Sequence, residues 1–378
     1  MAGIYIHIPF CKQACHYCDF HFSTNLKKKE DMLLALTKEV KLRKDELQKE
    51  KIETIYFGGG TPSILESTEI NRLVDVVQSN FEVIKTPEIT LEANPDDLSK
   101  DQIVKLSNTP INRLSIGVQS FFEEDLKLMN RAHDANEARK CLEHAKTHFK
   151  NISVDLIYGI PRQSDDDWMA NIHTLLDFEI PHISAYALTV EPKTALAHLI
   201  AEGKIQSVDD EQAERQFHLL VEHLNQEGYV NYEISNFGKV GFFSQNNTAY
   251  WQGKPYLGVG PSAHSFDGVK RGWNVRNNSK YIRALSMNAL PVDYEILSEP
   301  DRYNEYVMTG LRTIWGVSLE KIQNDFGRTY ARYLKKQSQK YVEEHLLFWD
   351  GEVLLTTKKG KFLADGIASD LFMINLEQ

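Results

Sequence analysis

Short segments rich in branched and aromatic residues alternate with helix-like segments through the first half of the sequence, and this alternation restricts the fold more than any other feature. The strand-like segments are residues 4–8, 53–57, 88–92, 113–118, 153–158 and 182–188. Between them, apolar residues recur at helical spacing in residues 32–47, 71–77, 99–106, 123–129, 136–148 and 165–176. Repeated strand–helix units predict parallel strands with right-handed crossovers, which can form either a doubly wound sheet or a partly open barrel.

Chemically distinctive residues stand at the ends of these predicted strands, which favours the barrel. They are Cys11, Gly58, Glu92, Gln119, Asp155 and Ala187. Parallel α/β folds place their chemistry at the carboxyl ends of the strands. We therefore expect an α/β fold with a partial (β/α)6 TIM-like barrel over residues 1–206 and a functional site on its rim.

The second half of the sequence predicts two further regions. Residues 207–298 begin with a long amphipathic helix, and the loops and short strands that follow are expected to pack over the barrel. Residues 299–378 contain helix-like segments at 302–311, 318–326 and 330–344, followed by a hairpin whose Asp350-Gly351 pair suits a tight turn. This order predicts a small C-terminal winged-helix-like α+β domain.

The charge and composition of the chain limit the classes of molecule that it is expected to bind. The chain has 378 residues and a formal charge of -10, so it is a poor candidate for binding nucleic acid, whose phosphates need lysine and arginine. Neither a secretory signal nor a bilayer-spanning apolar segment is evident. We expect a cytoplasmic protein that handles small molecules or protein partners, and the sequence leaves its oligomeric state open.

Three of the four cysteines, Cys11, Cys15 and Cys18, lie within eight residues. Such clustering favours metal binding over a disulfide framework. Three thiolates can hold three irons of a cubane cluster and leave the fourth iron open to a small molecule. Zinc is the main alternative, with His16 as a fourth ligand, although its place between Cys15 and Cys18 makes tetrahedral geometry awkward. Cys141 lies on an apolar helical stripe and is expected to be an inert core residue.

A glycine run, Gly58-Gly59-Gly60-Thr61-Pro62-Ser63, directly follows a predicted strand. It predicts a tight turn into a helix, with Thr61 as N-cap and Pro62 at the first helical position. Consecutive glycines also let a ligand approach the backbone closely.

These two motifs together resemble the radical S-adenosylmethionine (SAM) superfamily, whose hallmarks are Cys-x3-Cys-x2-Cys and the Gly59-Gly60-Thr61-Pro62 run. Longer motifs resemble the family of oxygen-independent coproporphyrinogen III oxidase. They are Tyr5-x-His7-Ile8-Pro9-Phe10-Cys11, Glu92-x-Asn94-Pro95, Ser115-Ile116-Gly117-Val118-Gln119-Ser120-Phe121, Arg131-x-His133, Asp155-Leu156-Ile157-Tyr158-Gly159-Ile160-Pro161 and Gly258-x-Gly260-x-x-Ala263-His264-Ser265.

Two departures from the oxidase itself make the sequence more similar to the haem-chaperone (HemW) branch of that family. Cys18 is followed by Asp19-Phe20 instead of Gly-Cys, and only four residues precede Tyr5. The resemblance implies a protein that binds haem and passes it to apoproteins such as membrane cytochromes of respiration. The alternatives are a coproporphyrinogen oxidase of porphyrin biosynthesis, a zinc-stabilised interaction module and, least favoured by the charge, a tRNA-modifying radical enzyme.

The resemblance also implies cofactors and roles. Cys11, Cys15 and Cys18 would hold a [4Fe-4S] cluster whose open iron binds SAM, and reduction of the cluster would cleave SAM to a 5′-deoxyadenosyl radical. The remaining implied SAM contacts are the backbone of Gly59, Gly60 and Thr61, the side chains of Glu92, Gln119, Arg131 and Asp155, and the pocket walls Tyr5, Tyr17 and Ala187. No residue is assigned as catalytic, and cleavage of SAM during function is left open.

One departure bears on haem. The haem-chaperone branch carries His-Asn-x-x-Tyr-Trp, whereas this sequence has Asn246-Asn247-Thr248-Ala249-Tyr250-Trp251. An asparagine amide has no basic nitrogen that could bind iron. Either another residue supplies the ligand, with His264 the nearest candidate in sequence, or tight haem binding has been lost.

Overall fold

The computed structural model describes residues 1–47 and 50–374. Alternating strands and helices form its first half. The strands are β1 (Ala2–Ile8), β2 (Ile52–Gly59), β3 (Val83–Ala93), β4 (Arg113–Gln119), β5 (Asn151–Tyr158) and β6 (His182–Ala187). The helices are α1 (Lys29–Leu42), α2 (Ser67–Asn80), α3 (Lys100–Ser107), α4 (Glu123–Leu128), α5 (Ala135–His148), α6 (Asp165–Asp177), α7 (Ala195–Ala201) and α8 (Asp210–Gln226).

Strands β1 to β6 pair in parallel and in sequence order, so the predicted α/β partial barrel is confirmed. The strands form because apolar and polar residues alternate along them. In β1, Ile4, Ile6 and Ile8 are buried against the helices, while Tyr5 and His7 point to the opposite, inner face. Side-chain caps begin several helices, as where Ser164 accepts a hydrogen bond from the Asp167 amide at the start of α6.

The segment 207–298 continues with β7 (Val230–Glu233), β8 (Asn236–Gly238), α9 (Gln245–Trp251), β9 (Tyr256–Val259), β10 (His264–Phe266), β11 (Lys270–Asn274), α10 (Asn278–Ser286) and β12 (Val292–Ile296). The sequence predicts that this segment packs over the barrel, whereas its strands extend the sheet at both edges. Strand β9 pairs in parallel with β1, and β8 pairs antiparallel with β6. The physical reason is that the edge strands of an open barrel carry unpaired backbone groups, which further strands satisfy.

The C-terminal region contains α11 (Glu299–Leu311), β13 (Val317–Ser318), α12 (Leu319–Phe326), α13 (Arg328–Glu343), β14 (Leu347–Asp350), β15 (Val353–Thr356), α14 (Lys358–Lys361) and α15 (Ala364–Asp370). Strands β13, β15 and β14 form a separate antiparallel sheet with its own apolar core. The predicted helices and hairpin are present in the predicted order. The last four residues of the predicted domain, 375–378, lie outside the described residues, and both predicted domain boundaries remain predictions.

Among the described residues, no helix combines the length and apolar character needed to cross a membrane.

A buried ion pair joins α1 to the added edge of the sheet. Arg43 Nη1 donates to Glu39 Oε1 at 2.8 Å and to the Gly258 carbonyl at 2.8 Å, and both side chains are inaccessible to solvent. Glu39 also accepts hydrogen bonds from the Gly260 amide at 2.8 Å and from Asn274 Nδ2 at 2.7 Å. The pair therefore connects β9 and β11 to the barrel.

Arg43→Met is expected to destabilise the protein by about 3–5 kcal/mol, because it leaves the Glu39 carboxylate buried without its cation. Urea unfolding of the purified chain measures this loss. Lys51→Met is the matched control, since Lys51 pairs with Glu82 on the surface and such pairs contribute about 0–1 kcal/mol. Equal losses for the two variants would contradict the role given to the buried pair.

Candidate functional site

The carboxyl ends of the barrel strands open onto a cavity of about 410 Å³, which we call the cluster cavity. The structure brings nearly all of the predicted cluster and SAM residues to its walls. They are Cys11, Cys15, Tyr17, Cys18, Gly59, Gly60, Thr61, Glu92, Gln119, Arg131, Asp155 and Ala187. Their common location agrees with the rim expected from the strand ends, and their individual roles remain predictions.

The cysteine loop is fixed at both ends by backbone hydrogen bonds. The Cys11 amide donates to the Ser23 carbonyl at 3.1 Å, and the His16 amide donates to the Met129 carbonyl at 3.0 Å. His16 Nδ1 bonds to the Leu128 carbonyl at 2.8 Å, so this ring nitrogen is engaged away from the cysteines. Within the described ranges, no three His, Cys, Asp or Glu side chains are grouped closely enough to hold a single metal ion. The hydrogen bond to Leu128 excludes Nδ1 of His16 as a zinc ligand.

Burial keeps the Cys11 and Cys18 thiols protonated in the absence of a cation. It raises the pKa of Cys11 to about 12 and that of Cys18 to about 11. A metal that binds here must displace these protons, because the thiolate is the ligand. Arg131 Nη1 donates a hydrogen bond to Cys15 Sγ at 3.2 Å, so a cation lies beside this thiol.

Arg131 connects the cysteine loop to two strand ends. Its Nη2 donates to the Gly117 carbonyl at 2.6 Å and to Asn94 Oδ1 at 2.7 Å. Its Nε is buried and has no hydrogen-bond partner among the described residues. A buried donor without a partner is rare in proteins, so this atom is available to a ligand with an acceptor oxygen.

The glycine run forms the expected turn, and packing against the start of the cysteine loop requires glycine at two of its positions. A Cβ on Gly60 would lie 2.5 Å from the Phe10 carbonyl, and one on Gly59 would lie 2.4 Å from the His7 ring. The glycines are therefore required by the start of the cysteine loop itself. Thr61 precedes a short 3-10 helix, Pro62–Ile64, yet its side chain does not cap it and accepts a hydrogen bond from Asn94 Nδ2 at 3.3 Å instead.

Two buried carboxyl groups face the cluster cavity. Burial raises the pKa of Glu92 to about 7 and that of Asp155 to about 6, and Coulombic repulsion between the two groups adds to the rise for Glu92. Glu92 accepts hydrogen bonds from Tyr56 Oη at 2.8 Å and from the Gly59 amide at 3.2 Å. A positively charged ligand would stabilise the ionised forms of these two carboxyls, which burial makes unfavourable.

Gln119 ends β4 with a φ of 71°, and the register with β5 shifts between Gly117 and Gln119. The left-handed region is costly for a residue with a side chain, and such strain is concentrated at functional sites. The bulge turns the Gln119 side chain into the cluster cavity.

A second cavity of about 750 Å³, which we call the aromatic cavity, adjoins the first. The predicted haem-region residues all line it: Asn246, Asn247, Tyr250, Trp251 and His264. Tyr5 lines this cavity, where its ring stacks on Tyr56 at a centroid distance of 6.0 Å, and its contact with SAM remains a prediction. Four residues line both cavities: Asp19, Phe20, Glu92 and Tyr186.

Helix α9, which carries Asn246 to Trp251, is held against the inner face of the sheet. Buried Glu88 accepts hydrogen bonds from the Gln245 and Asn246 amides, both at 3.1 Å. Thr54 Oγ1 donates to Asn246 Oδ1 at 3.1 Å. Sequence reasoning missed these supporting residues, as it missed Asn94, Ser115 and Tyr186 as cavity walls. The sequence signal that could have found the strand residues among them is the alternation of polar and apolar residues along each strand, in which these residues take the polar positions.

Comparison with known proteins agrees with this architecture. The radical SAM superfamily model matches residues 5–175, and the HemN C-terminal domain model matches residues 297–363. The solved structure of coproporphyrinogen III oxidase (HemN) from Escherichia coli superposes with a TM-score of 0.84, covering 98% of this chain and 90% of that one. At 24% identity this likeness shows the fold alone.

Full-length relatives decide the family. The heme chaperone HemW of Mycobacterium tuberculosis is 32% identical over 98% of this chain and 94% of its own length. The heme chaperone HemW of Bacillus subtilis is 32% identical over 97% of this chain and 98% of its own length. The chain belongs to the HemW family of radical SAM proteins. The predicted branch of the family is thereby confirmed.

The raised pKa of Glu92 predicts a pH-dependent stability for the unliganded protein. The folded state holds this proton more tightly than the unfolded chain, so ionisation lowers stability as pH rises from 4.5 to about 7. Glu92→Gln removes the effect, and we expect the variant to melt above the wild type at pH 8, with the difference shrinking towards pH 5. Thermal unfolding across this range measures it, with surface Glu222→Gln as control. A difference that does not change with pH would contradict the assignment.

Proposed function

We propose that the protein is a haem chaperone that holds a [4Fe-4S] cluster and SAM in the cluster cavity and carries haem in the aromatic cavity. The observation that carries the proposal is the pair of adjoining cavities with a shared wall, one lined by the cysteines and the other by α9. Full-length similarity to heme chaperones supports the cargo.

The residues of the cysteine loop suit a cubane cluster. Cys11, Cys15 and Cys18 line one cavity and are the only thiols there among the described residues. Three ligands leave one iron open, and a reduced cluster of this kind supplies the electron that cleaves SAM. Arg131, beside Cys15, stabilises the negative charge of the thiolates.

The charged groups of the cluster cavity suit SAM. Its amino and sulfonium groups are cations, and the buried carboxyls of Glu92 and Asp155 both line this cavity without a cation at hydrogen-bond distance among the described residues. Its carboxylate can accept a hydrogen bond from the unpartnered Nε of Arg131. The backbone of Gly59 to Thr61, together with Gln119, Tyr17 and Ala187, completes the proposed cofactor site.

The aromatic cavity suits a flat, dianionic cargo such as haem. Tyr250 and Trp251 supply aromatic surface, and the Arg312 guanidinium lies 5.2 Å from the Trp251 ring centre. Arg276 also lines this cavity and can pair with a propionate. The volume of the aromatic cavity lies within the range of about 300–1,000 Å³ typical of ligand sites. We propose that the acceptors are apo-haemoproteins, among them membrane cytochromes reached from the cytoplasm.

Anaerobic reconstitution is expected to give about four irons and four sulfides per chain. Cys11→Ala, Cys15→Ala and Cys18→Ala should each abolish this loading, whereas Cys141→Ala should keep it, because Cys141 is buried on α5. Iron and sulfide analysis measures the loading. Adding SAM to the dithionite-reduced protein should change its electron paramagnetic resonance spectrum. A colourless preparation, or an identical spectrum with and without SAM, would refute the cofactor half of the proposal.

Asn246→His should tighten haem binding at least tenfold, or about 1.4 kcal/mol, because it places a basic nitrogen on α9 where an amide now stands. Titration with ferric haem, followed by the Soret band, measures the affinity. Asn247→His is the positional control, since it adds the same ring one residue further along the helix. If neither variant nor the wild type changes the haem spectrum, the chaperone proposal fails.

A further inference from the structure

Three imidazoles line the aromatic cavity: His7, His21 and His264. Haem iron binds the lone pair of an imidazole nitrogen, so a ligand needs one ring nitrogen that is deprotonated and free of other partners. The hydrogen bonds of each ring show which of the three meets this requirement. The tautomers follow from the hydrogen-bond network.

His7 has no free ring nitrogen. Its Nε2 donates to the main-chain carbonyl of His21 at 2.9 Å, which makes Nδ1 the acceptor. Tyr5 Oη lies 3.2 Å from that Nδ1 and donates to it. Both positions are therefore occupied within the protein, and His7 serves to hold the loop that follows the cysteines.

His21 has the hydrogen-bond pattern of a metal ligand. Its Nε2 lies 2.7 Å from Asn278 Oδ1, which can only accept, so Nε2 carries the proton and Nδ1 carries the lone pair. Among the described residues, Nδ1 makes no hydrogen bond. A partner that fixes the tautomer from behind is the usual support of a metal-binding histidine. The ring is also held by stacking on His7, with centroids 6.2 Å apart.

The charge state of His21 is consistent with this role. The ring is half-buried, and burial lowers its pKa, with the positive charge of Arg276 adding to the effect. The neutral form therefore dominates near pH 7. Arg276 donates to the main-chain carbonyl of Asp19, so it also holds the loop on which His21 stands.

His264 lacks this support. Its residue is exposed on β10, and within the described part of the chain neither ring nitrogen has a hydrogen-bond partner that would set the tautomer or the orientation. An unsupported ring loses side-chain freedom when it binds a metal, which reduces its affinity. His21 is consequently the better prepared of the two rings.

We propose that His21, through Nδ1, is the axial ligand that this chain supplies to haem iron in place of the imidazole missing at Asn246. The inference rests on the proposed haem function and names the ligand within that site. It also places the ligand three residues after Cys18, on the loop that forms the wall between the two cavities.

The test is titration of the full-length protein with ferric haem, followed by the Soret band, and then by the spectrum of the reduced protein with carbon monoxide. His21→Ala should weaken binding at least tenfold and shift both spectra, and added imidazole should restore the wild-type bands by occupying the vacated position. His264→Ala should bind like the wild type. The hydrogen bond that His7 Nε2 donates goes to the main-chain carbonyl of residue 21 and survives the substitution. The melting temperature of His21→Ala should therefore stay close to that of the wild type.

Asn278→Leu provides a second, milder variant. Without the Asn278 oxygen as acceptor, the His21 ring is no longer held in the tautomer that leaves Nδ1 unprotonated. Haem binding should therefore weaken less than in His21→Ala, and added imidazole should not restore the wild-type affinity. Unchanged spectra in His21→Ala, or the loss appearing in His264→Ala instead, would overturn the ligand assignment and leave the haem function standing. No haem spectrum in the wild type would overturn the haem function itself.

Discussion

The polar inner face of the barrel strands is the constraint on which the rest of the structure depends. Barrels of this kind usually fill their interior with branched apolar side chains. Here, alternate positions carry Glu88 and Glu92 on β3, Ser153 and Asp155 on β5, and His182, Ser184 and Tyr186 on β6, while the intervening residues pack against helices. Buried polar groups destabilise a protein unless they are hydrogen-bonded. The interior therefore requires partners from other segments, or a ligand.

The segment after the barrel supplies many of those partners. His182 Nε2 bonds to Tyr232 Oη on β7 at 2.8 Å, and Ser184 Oγ donates to Asn236 Oδ1 on β8 at 2.7 Å. Glu88 receives two amide groups from the start of α9. These bonds join β7, β8 and α9 to the inner face of the barrel strands. The cluster cavity lies at the carboxyl ends of the strands, where the buried Nε of Arg131 has no hydrogen-bond partner among the described residues.

The sequence alone predicts those structural elements whose pattern lies within one short segment of the chain. The strands β1 to β6 were predictable because the alternation of polar and apolar residues lies within each of them, and the cysteine loop because its spacing is contained in eight residues. The edge strands β7 to β12 were not, since short strands form only where another edge offers pairing. The aromatic cavity joins residues from Gly3 to Arg312, and no local pattern indicates that Asn246 would face Thr54. Likewise, the strand position of Tyr5 alone does not show that its ring stacks on Tyr56 in the aromatic cavity.

The shared wall gives the two cavities a physical connection. Glu92 bonds on one side to the Gly59 amide, beside the cysteine loop, and on the other to Tyr56, whose ring stacks on Tyr5 in the aromatic cavity. Tyr5 in turn donates to His7, which holds the carbonyl of His21. A cation bound near Glu92 would favour its ionised form and strengthen the bond from Tyr56, since charged acceptors form the stronger hydrogen bonds. A continuous series of hydrogen bonds and ring contacts therefore runs from the Gly59 amide, beside the cysteine loop, to the main chain of His21 in the aromatic cavity.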